Sequence, residues 1–569
     1  MPSNQNLVDK LIEKEVSAKT GRLDLGCCGL YTLPDNLQEL DWLQELILAN
    51  QWINPNTHEW VFSSNRGKDN QLTELPQWLE NLANLETLNI YGSNIKDIGV
   101  VRQLQNLKKI DMGGTYVEGL SPLATLSHLE EVSCVGTNIN DLSTLGTAEN
   151  LKIIRFGGTK VTSLSPLKEW QQITEVDCRG ITVTDLSSLS ELTHLEKLDC
   201  SGSLVSDLNP LLNLSKLNEL LFNRSLVEDL SPVQAMPHIQ HIRFGWTKIT
   251  DISPLKALHE LTRVGFNGTE ISDISALSSL NELEQVSFDQ TAVADISALA
   301  ELKKVNEVRC IATEVTNISP ISGLGLLAGI RMDATKICDL SPLKDLSNLQ
   351  YVSFSNTLVS SLSSLQKLHQ LEHLIFHGTR VSDLTPISKL TNLQSISLAG
   401  TEIDSLSALS NLASLRRLQC GYTPIKNKDL VALSSLSKLE RLGLEGTAIS
   451  DLSPLTNLKH LELINCNKSQ VSDLTPLQEH IRKGMNINNK QSTNMDSSII
   501  YVEDCPLVTP PIEFINEGSV AVRKYFDELQ QGSEPLNELK VIFLGEGAAG
   551  KTSLIKRLRS ESFDQNEKQ

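Results

Sequence analysis

The chain has 569 residues, 40% of them apolar but only 4% aromatic, with a formal net charge of −19. This is enough apolar material for a sizeable core, and that core must be aliphatic. The acidity argues against a nucleic-acid partner, and no run of 18 or more apolar residues marks a membrane span.

Residues 1–20 carry Leu7, Val8, Leu11, Ile12 and Val16 on a charged background. That spacing predicts a short amphipathic helix, placed to cover the open first edge of a repeat array. From Ser93 to Thr423, sixteen positions 22 residues apart hold twelve Thr, three Ser and one Ile, Ile181. Four residues after each, a second column is mostly Asp (Asp97, Asp141, Asp185, Asp207, Asp229, Asp251 and onward). The unit reads LxxLxxLxLxxTxIxDLSPL, a short leucine-rich repeat, and it defines a solenoid over residues 21–510. The acidity of the chain is read mainly as a by-product of this repeat.

In each unit two apolar residues one apart, such as Val132 and Cys134, predict a short strand with both side chains inward. Neighbouring strands would stack as a parallel sheet about 4.8 Å apart. The Thr would close the turn with its hydroxyl. The D-L-S-P-L segment would open a short convex helix or 3₁₀ turn, with Ser as cap and Pro at the first position. The fold class is thus α/β: a parallel sheet on the concave face and short turns on the convex side.

A polar insertion at about 50–70, containing Trp52 and Trp60, interrupts the early repeats. It is either a loop packed back on the repeats or a binding loop. Between Thr423 and Thr447 the register gains two residues. Residues 511–535 read as a helical connector, with Ile512, Ile515, Val520, Val522, Tyr525, Phe526 and Leu529 as its apolar positions.

Five of the ten cysteines, Cys134, Cys178, Cys200, Cys310 and Cys420, fall in the second inward strand column, and Cys28 takes a turn position that Thr holds later. They are core residues, without the spacing of a zinc site. So many lone thiols, and the lack of a secretory apolar run in residues 1–19, point to the cytoplasm.

Positions flanking the inward pair face the concave side. There Arg243, Arg263, Arg309 and Arg331 make a basic patch, with Trp246 and Tyr351 nearby. Two readings are open: a docking face for an acidic protein segment or another domain of the same protein, or ordinary surface variation. His373 and His377 are four strand residues apart, roughly 13 Å, too far to share a metal ion.

After residue 535 the pattern changes. Leu539 to Leu544 reads as a buried strand, followed by Gly545-Glu546-Gly547-Ala548-Ala549-Gly550-Lys551-Thr552-Ser553 and an apolar helical stretch. This is GxxxxGK[ST] in its strand, loop, helix context. Its backbone N–H groups would cradle phosphate, Lys551 would reach the β and γ phosphates, and Thr552 would ligate Mg²⁺.

Repeats followed by such a loop resemble the bacterial Roco family, in which leucine-rich repeats precede a Ras-like G domain called Roc and a dimerising domain called COR. The junction carries the resemblance most specifically, in Asp504-Cys505-Pro506-Leu507, Pro510-Pro511, Glu513, Gly518, Ala521, Tyr525-Phe526 and Leu529. It implies that residues 536–569 begin a Roc-type domain and that a complete form binds GTP or GDP with Mg²⁺ as a regulatory GTPase. The repeats would then serve as a protein-interaction arm. The chain ends 17 residues after Thr552, without DxxG, NKxD or a COR domain. The resemblance therefore implies a protein broken off inside its G domain, which is not catalytic alone and would form a homodimer only through the missing part. The alternative is a protein-binding scaffold with no nucleotide activity, and no kinase signature appears.

Overall fold

The computed structural model describes residues 5–54, 60–146, 148–489 and 498–530; the phosphate-loop residues 545–553 lie outside them. The solenoid is a parallel sheet of 22 strands, each three residues long. Each strand pairs with the next in the register that the 22-residue period demands: Glu131 opposite Ile153, Val132 opposite Ile154, Ser133 opposite Arg155.

Each strand ends after three residues because a turn takes over its backbone groups. The Thr137 hydroxyl donates to the Cys134 carbonyl at 2.7 Å, and the same bond recurs at Thr115, Thr247, Thr269 and Thr313. The residue before the Thr sits in the left-handed region, and in many repeats it is glycine, as at Gly114 (φ 68°) and Gly136 (φ 69°). Only glycine adopts that backbone at no steric cost.

The convex side consists of 3₁₀ turns such as Ser253–Ala257 and Ser319–Gly323. Their cap is the second-column residue, usually Asp, as at Asp251, with Asn at Asn317, and not the Ser of the turn itself. The Asp141 carboxylate accepts both the Ser143 N–H at 2.8 Å and the Ser143 hydroxyl at 2.6 Å. These two bonds hold its carboxyl below the usual range. Ser is the first residue of the turn and Pro the second, as in Ser253-Pro254. A carboxylate reaches the first free N–H from two residues upstream, an Asx turn that a Ser inside the turn cannot make.

The core is one continuous apolar column along the axis. Phe222, Phe244, Phe266 and Phe288 stack with ring centroids 5.7–5.9 Å apart and planes within 18°. Phe354 and Phe376 repeat the arrangement. Burying each ring stabilises by roughly 2–3 kcal/mol relative to leaving it in water. Cys134, Cys178, Cys200, Cys310 and Cys420 occupy the same column and are buried. Burial pushes the thiols of Cys134, Cys200 and Cys310 up to about 12.

Both ends of the core are covered. At the start, helix Gln5–Ala18 buries Val8 and Ile12. Its Glu15 carboxylate, which burial alone would raise, accepts bonds from Thr20, Gly21 and Trp42 that hold it below its ordinary value. At the far end the connector forms two helices, Ile512–Glu517 and Ser519–Gln530, rather than one, because the chain breaks at Gly518 (φ 102°). Ile515, Val522 and Phe526 are buried there, and Arg482 donates to the Phe526 carbonyl and pairs with Asp527, each at 3.0 Å.

Three local departures matter. The two extra residues after Thr423 accommodate a helical turn, Asn427–Leu430, whose Asp429 carboxylate accepts the Lys426 N–H at 2.9 Å. The last strand, Ile499–Tyr501, lies between Leu463–Asn465 and Asn486–Asn488 and pairs with both. In the early insertion, Gln51–Ile53 pairs antiparallel with Trp60–Phe62. Among the described residues, no helix is long and apolar enough to cross a membrane.

Candidate functional site

Residues on either side of the inward strand positions form the concave face, and the early hairpin roofs its first part. Trp52 and Ile53 close a cavity of about 390 Å³ against Tyr91, Val135 and the strands up to Leu221. Trp60 meets Tyr91 edge-on, with centroids 6.0 Å apart. The hairpin is tied down at its base, where the Ser63 hydroxyl donates to Asp24 at 2.9 Å.

Seven carboxylates line this cavity against four cations. Arg155 is buried and pairs with Glu131 at 2.5 Å and Glu175 at 2.7 Å, one repeat to each side. Arg179 grips Asp177 through Nε and Nη2, at 3.0 and 2.7 Å, and reaches Asp199 at 3.6 Å. Burial would raise Glu131, but Arg155 and Lys109 hold it below its ordinary value. For Asp199 the balance goes the other way: burial and the neighbouring Asp177 carboxylate outweigh Ser201 and Arg179 and push it up to about 6. Asp111 is also raised, chiefly by burial.

The sign of the surface changes at His241. This imidazole is buried between Glu219 and Arg263 in register. Its Nδ1 lies 3.3 Å from Glu219 Oε1 but off the hydrogen-bonding line, and Nε2 has no partner. Burial lowers its pKa below the ordinary imidazole value.

Beyond it, Arg243, Arg263, Arg309 and Trp246 surround a second cavity of about 470 Å³ floored by Gly245 and Gly265. Arg309 pairs with Asp289 at 2.8 Å. Arg243 and Arg263 are exposed and have no ion pair among the described residues. Partial burial of the guanidinium and the adjacent Arg263 charge lower the Arg243 pKa. Arg331 lies beside Arg309 in register and stacks 4.6 Å over the Tyr351 ring, outside this cavity. Trp246 is 49% exposed and takes the left-handed position (φ 61°) that glycine holds in many repeats.

Of the six concave residues singled out by the sequence, four therefore share one cavity, and Arg331 and Tyr351 form a stacked pair next to it. The acidic cavity under the hairpin was not anticipated. A signal existed for part of it: Arg155 has Glu131 and Glu175 at adjacent strand positions, 24 residues before and 20 after. Nothing in the spacing announces that the hairpin carrying Trp52 will fold over the concave face.

Comparison with family descriptions matches residues 369–411 to "Leucine Rich repeats (2 copies)". No curated protein matches the sequence. Among solved structures, the leucine-rich-repeat ectodomain of the Arabidopsis thaliana receptor kinase GASSHO1/SCHENGEN3, solved in complex with CASPARIAN STRIP INTEGRITY FACTOR 2, is 15% identical. The match covers 84% of this chain and 66% of that one, with a TM-score of 0.50. A leucine-rich-repeat protein of Leptospira interrogans is 17% identical over 71% of this chain and 95% of its own, TM-score 0.48. An internalin of Listeria monocytogenes is 22% identical over 58% and 84%, TM-score 0.45. These likenesses are of fold.

Proposed function

We propose that this leucine-rich-repeat protein works by holding a protein partner on its concave face. The observation that carries the reading is the second cavity, where an exposed tryptophan in a glycine-type backbone conformation adjoins two guanidiniums that form no ion pair among the described residues. Strained, exposed aromatics beside arginines are the side chains on which interfaces concentrate their energy. The test is cross-linked capture by the full chain. Arg243→Glu with Arg263→Glu should lose the captured partner, and Lys256→Glu on the convex side should keep it. Retention by the concave double variant would overturn the reading.

A second reading rests on the motif at 545–553 alone. In a chain with a complete G domain, we propose that guanine nucleotide binds there with Mg²⁺. Gly545, Glu546, Gly547, Ala548, Ala549, Gly550 and Ser553 would form the loop, Lys551 would reach the β and γ phosphates, and Thr552 would hold the metal. The repeats would then be the interaction arm of a Roco-type regulator. Hydrolysis in this class needs, beyond the loop, several elements placed around the γ-phosphate. Fluorescent-nucleotide titration separates the outcomes: weak, guanine-indifferent binding for this chain, and Mg²⁺-dependent GTP and GDP binding for an extended one that Lys551→Ala abolishes. Ten unpaired cysteines support a cytoplasmic setting for either reading.

A further inference from the structure

The concave face carries its charges in two successive zones along one groove. Beneath the hairpin, carboxylates outnumber cations by seven to four; past His241, three guanidiniums meet one carboxylate in the lining. Asp199 and Arg243 lie two strand intervals apart, about 10 Å along the axis at 4.8 Å per strand. A uniformly acidic segment would be repelled at the first zone, and a uniformly basic one at the second.

Building on the reading that this face holds a protein segment, we propose that the groove selects that segment by the order of its charges. A basic block sits beneath the Trp52 hairpin, and an acidic block lies at Arg243 and Arg263. The seven carboxylates centre on the strand of Arg155, about four to five strand intervals, or roughly 22 Å, from Arg243 and Arg263, so in an extended segment at about 3.3 Å per residue the centres of the two blocks fall roughly six to seven residues apart. The stem of the basic block has apolar cover in Trp52, Ile53 and Tyr91, where long cationic side chains lay their methylenes. Gly265 keeps the second floor open, since a methyl there would meet Arg243 Cγ at 3.3 Å.

The probes are two fluorescent peptides of identical composition, one with three Lys, a Gly-Ser-Leu spacer and three Glu in blocks, the other with Lys and Glu alternating. Titrated with the full chain at low salt, the block peptide should bind roughly tenfold tighter, and its advantage should shrink as salt screens the charges. Arg243→Glu with Arg263→Glu should erase the preference without changing the thermal unfolding profile, both side chains being exposed. Lys256→Glu should leave it intact. Equal binding of the two peptides, no binding of either, a salt-independent preference, or a preference that survives the double variant would each overturn the proposal. If charge order fails while the double variant still loses its cross-linked partner, protein docking stands and only the selection rule falls.

Discussion

The indole of Trp246 lies across the backbone of Gly268, so close that a methyl group added to Gly268 would sit 2.4 Å from two ring carbons. Both residues are in the left-handed region, at φ 61° and 67°. The glycine of one repeat thus makes room for the tryptophan of the repeat before it, and the ring stays at the rim of the arginine-lined cavity.

Gly268→Ala and Gly400→Ala separate the ring from the backbone. Both glycines have nearly the same φ, but a methyl at Gly400 meets only Gly378 at 3.7 Å or beyond. Gly400→Ala should cost about 1–2 kcal/mol for the left-handed backbone. Gly268→Ala should cost at least about 1 kcal/mol more, because the ring must also move. Equal urea midpoints for the two variants would show that the indole does not lie where the structure puts it.

Phe266→Ala removes a ring from the middle of the Phe222 to Phe288 stack. The loss should be about 3–5 kcal/mol, with the lesion opening neighbouring repeats first. Ser397→Ala, on the partly exposed concave side, should cost under about 0.5 kcal/mol. Ser287 is not a neutral control, since its hydroxyl donates to Asn267 Oδ1 at 2.7 Å. Similar destabilisation by Phe266→Ala and Ser397→Ala would contradict the assigned faces.

Thiol labelling of the folded chain should be selective. Cys338 is exposed and should react first, whereas Cys134, Cys200 and Cys310 are buried with thiols pushed up to about 12. These three should react at the rate of unfolding. Mass spectrometry of partly labelled protein reads the order, and early modification of Cys200 would be decisive against it.

Asp199 gives a pH dependence of definite sign. Burial and Asp177 raise it from 3.8 to about 6, so the folded chain keeps this proton where the unfolded chain has lost it. Its contribution to stability is fully present below about pH 4 and is lost as the pH rises through 6. Two units correspond to at most about 3 kcal/mol. Asp199→Asn should therefore lose less stability than the parent between pH 4.5 and 7, by about 1–3 kcal/mol in urea melts. An unchanged difference between the two pH values would remove Asp199 as the cause.

What was legible in the sequence is what the period repeats. Thr137, Phe266 and Cys310 recur at fixed spacing because every repeat poses the same local problem, so their columns give the strand faces and the turn. The capping role was misassigned to Ser143, because Asp141 and Ser143 both suit a turn and only geometry shows which carries the acceptor. The left-handed position was written in the glycine column, and Trp246 could have been recognised as one of its exceptions, with Arg224, Gln290 and Tyr422 among the others. The cavity beneath Trp52 was not legible, since it depends on an insertion folding back over the concave face. Gly518 in the connector carried the signal for two helices, outweighed by the apolar pattern around it.

The crossed pairing of Ile499–Tyr501 sets a boundary on how the molecule can be edited and how it is made. Up to Asn465 each strand comes after its neighbour in chain order, so a whole 22-residue unit can be removed or duplicated and the cut ends will still meet. The final places are taken out of turn. A chain emerging from the ribosome presents the open hydrogen-bonding edge of Leu463–Asn465 until residue 501 has been made, and a chain cut before Ile499 would keep that edge permanently. Such an edge is a template for pairing with other chains. The late strand therefore works as a latch, and its loss should make the solenoid self-associate.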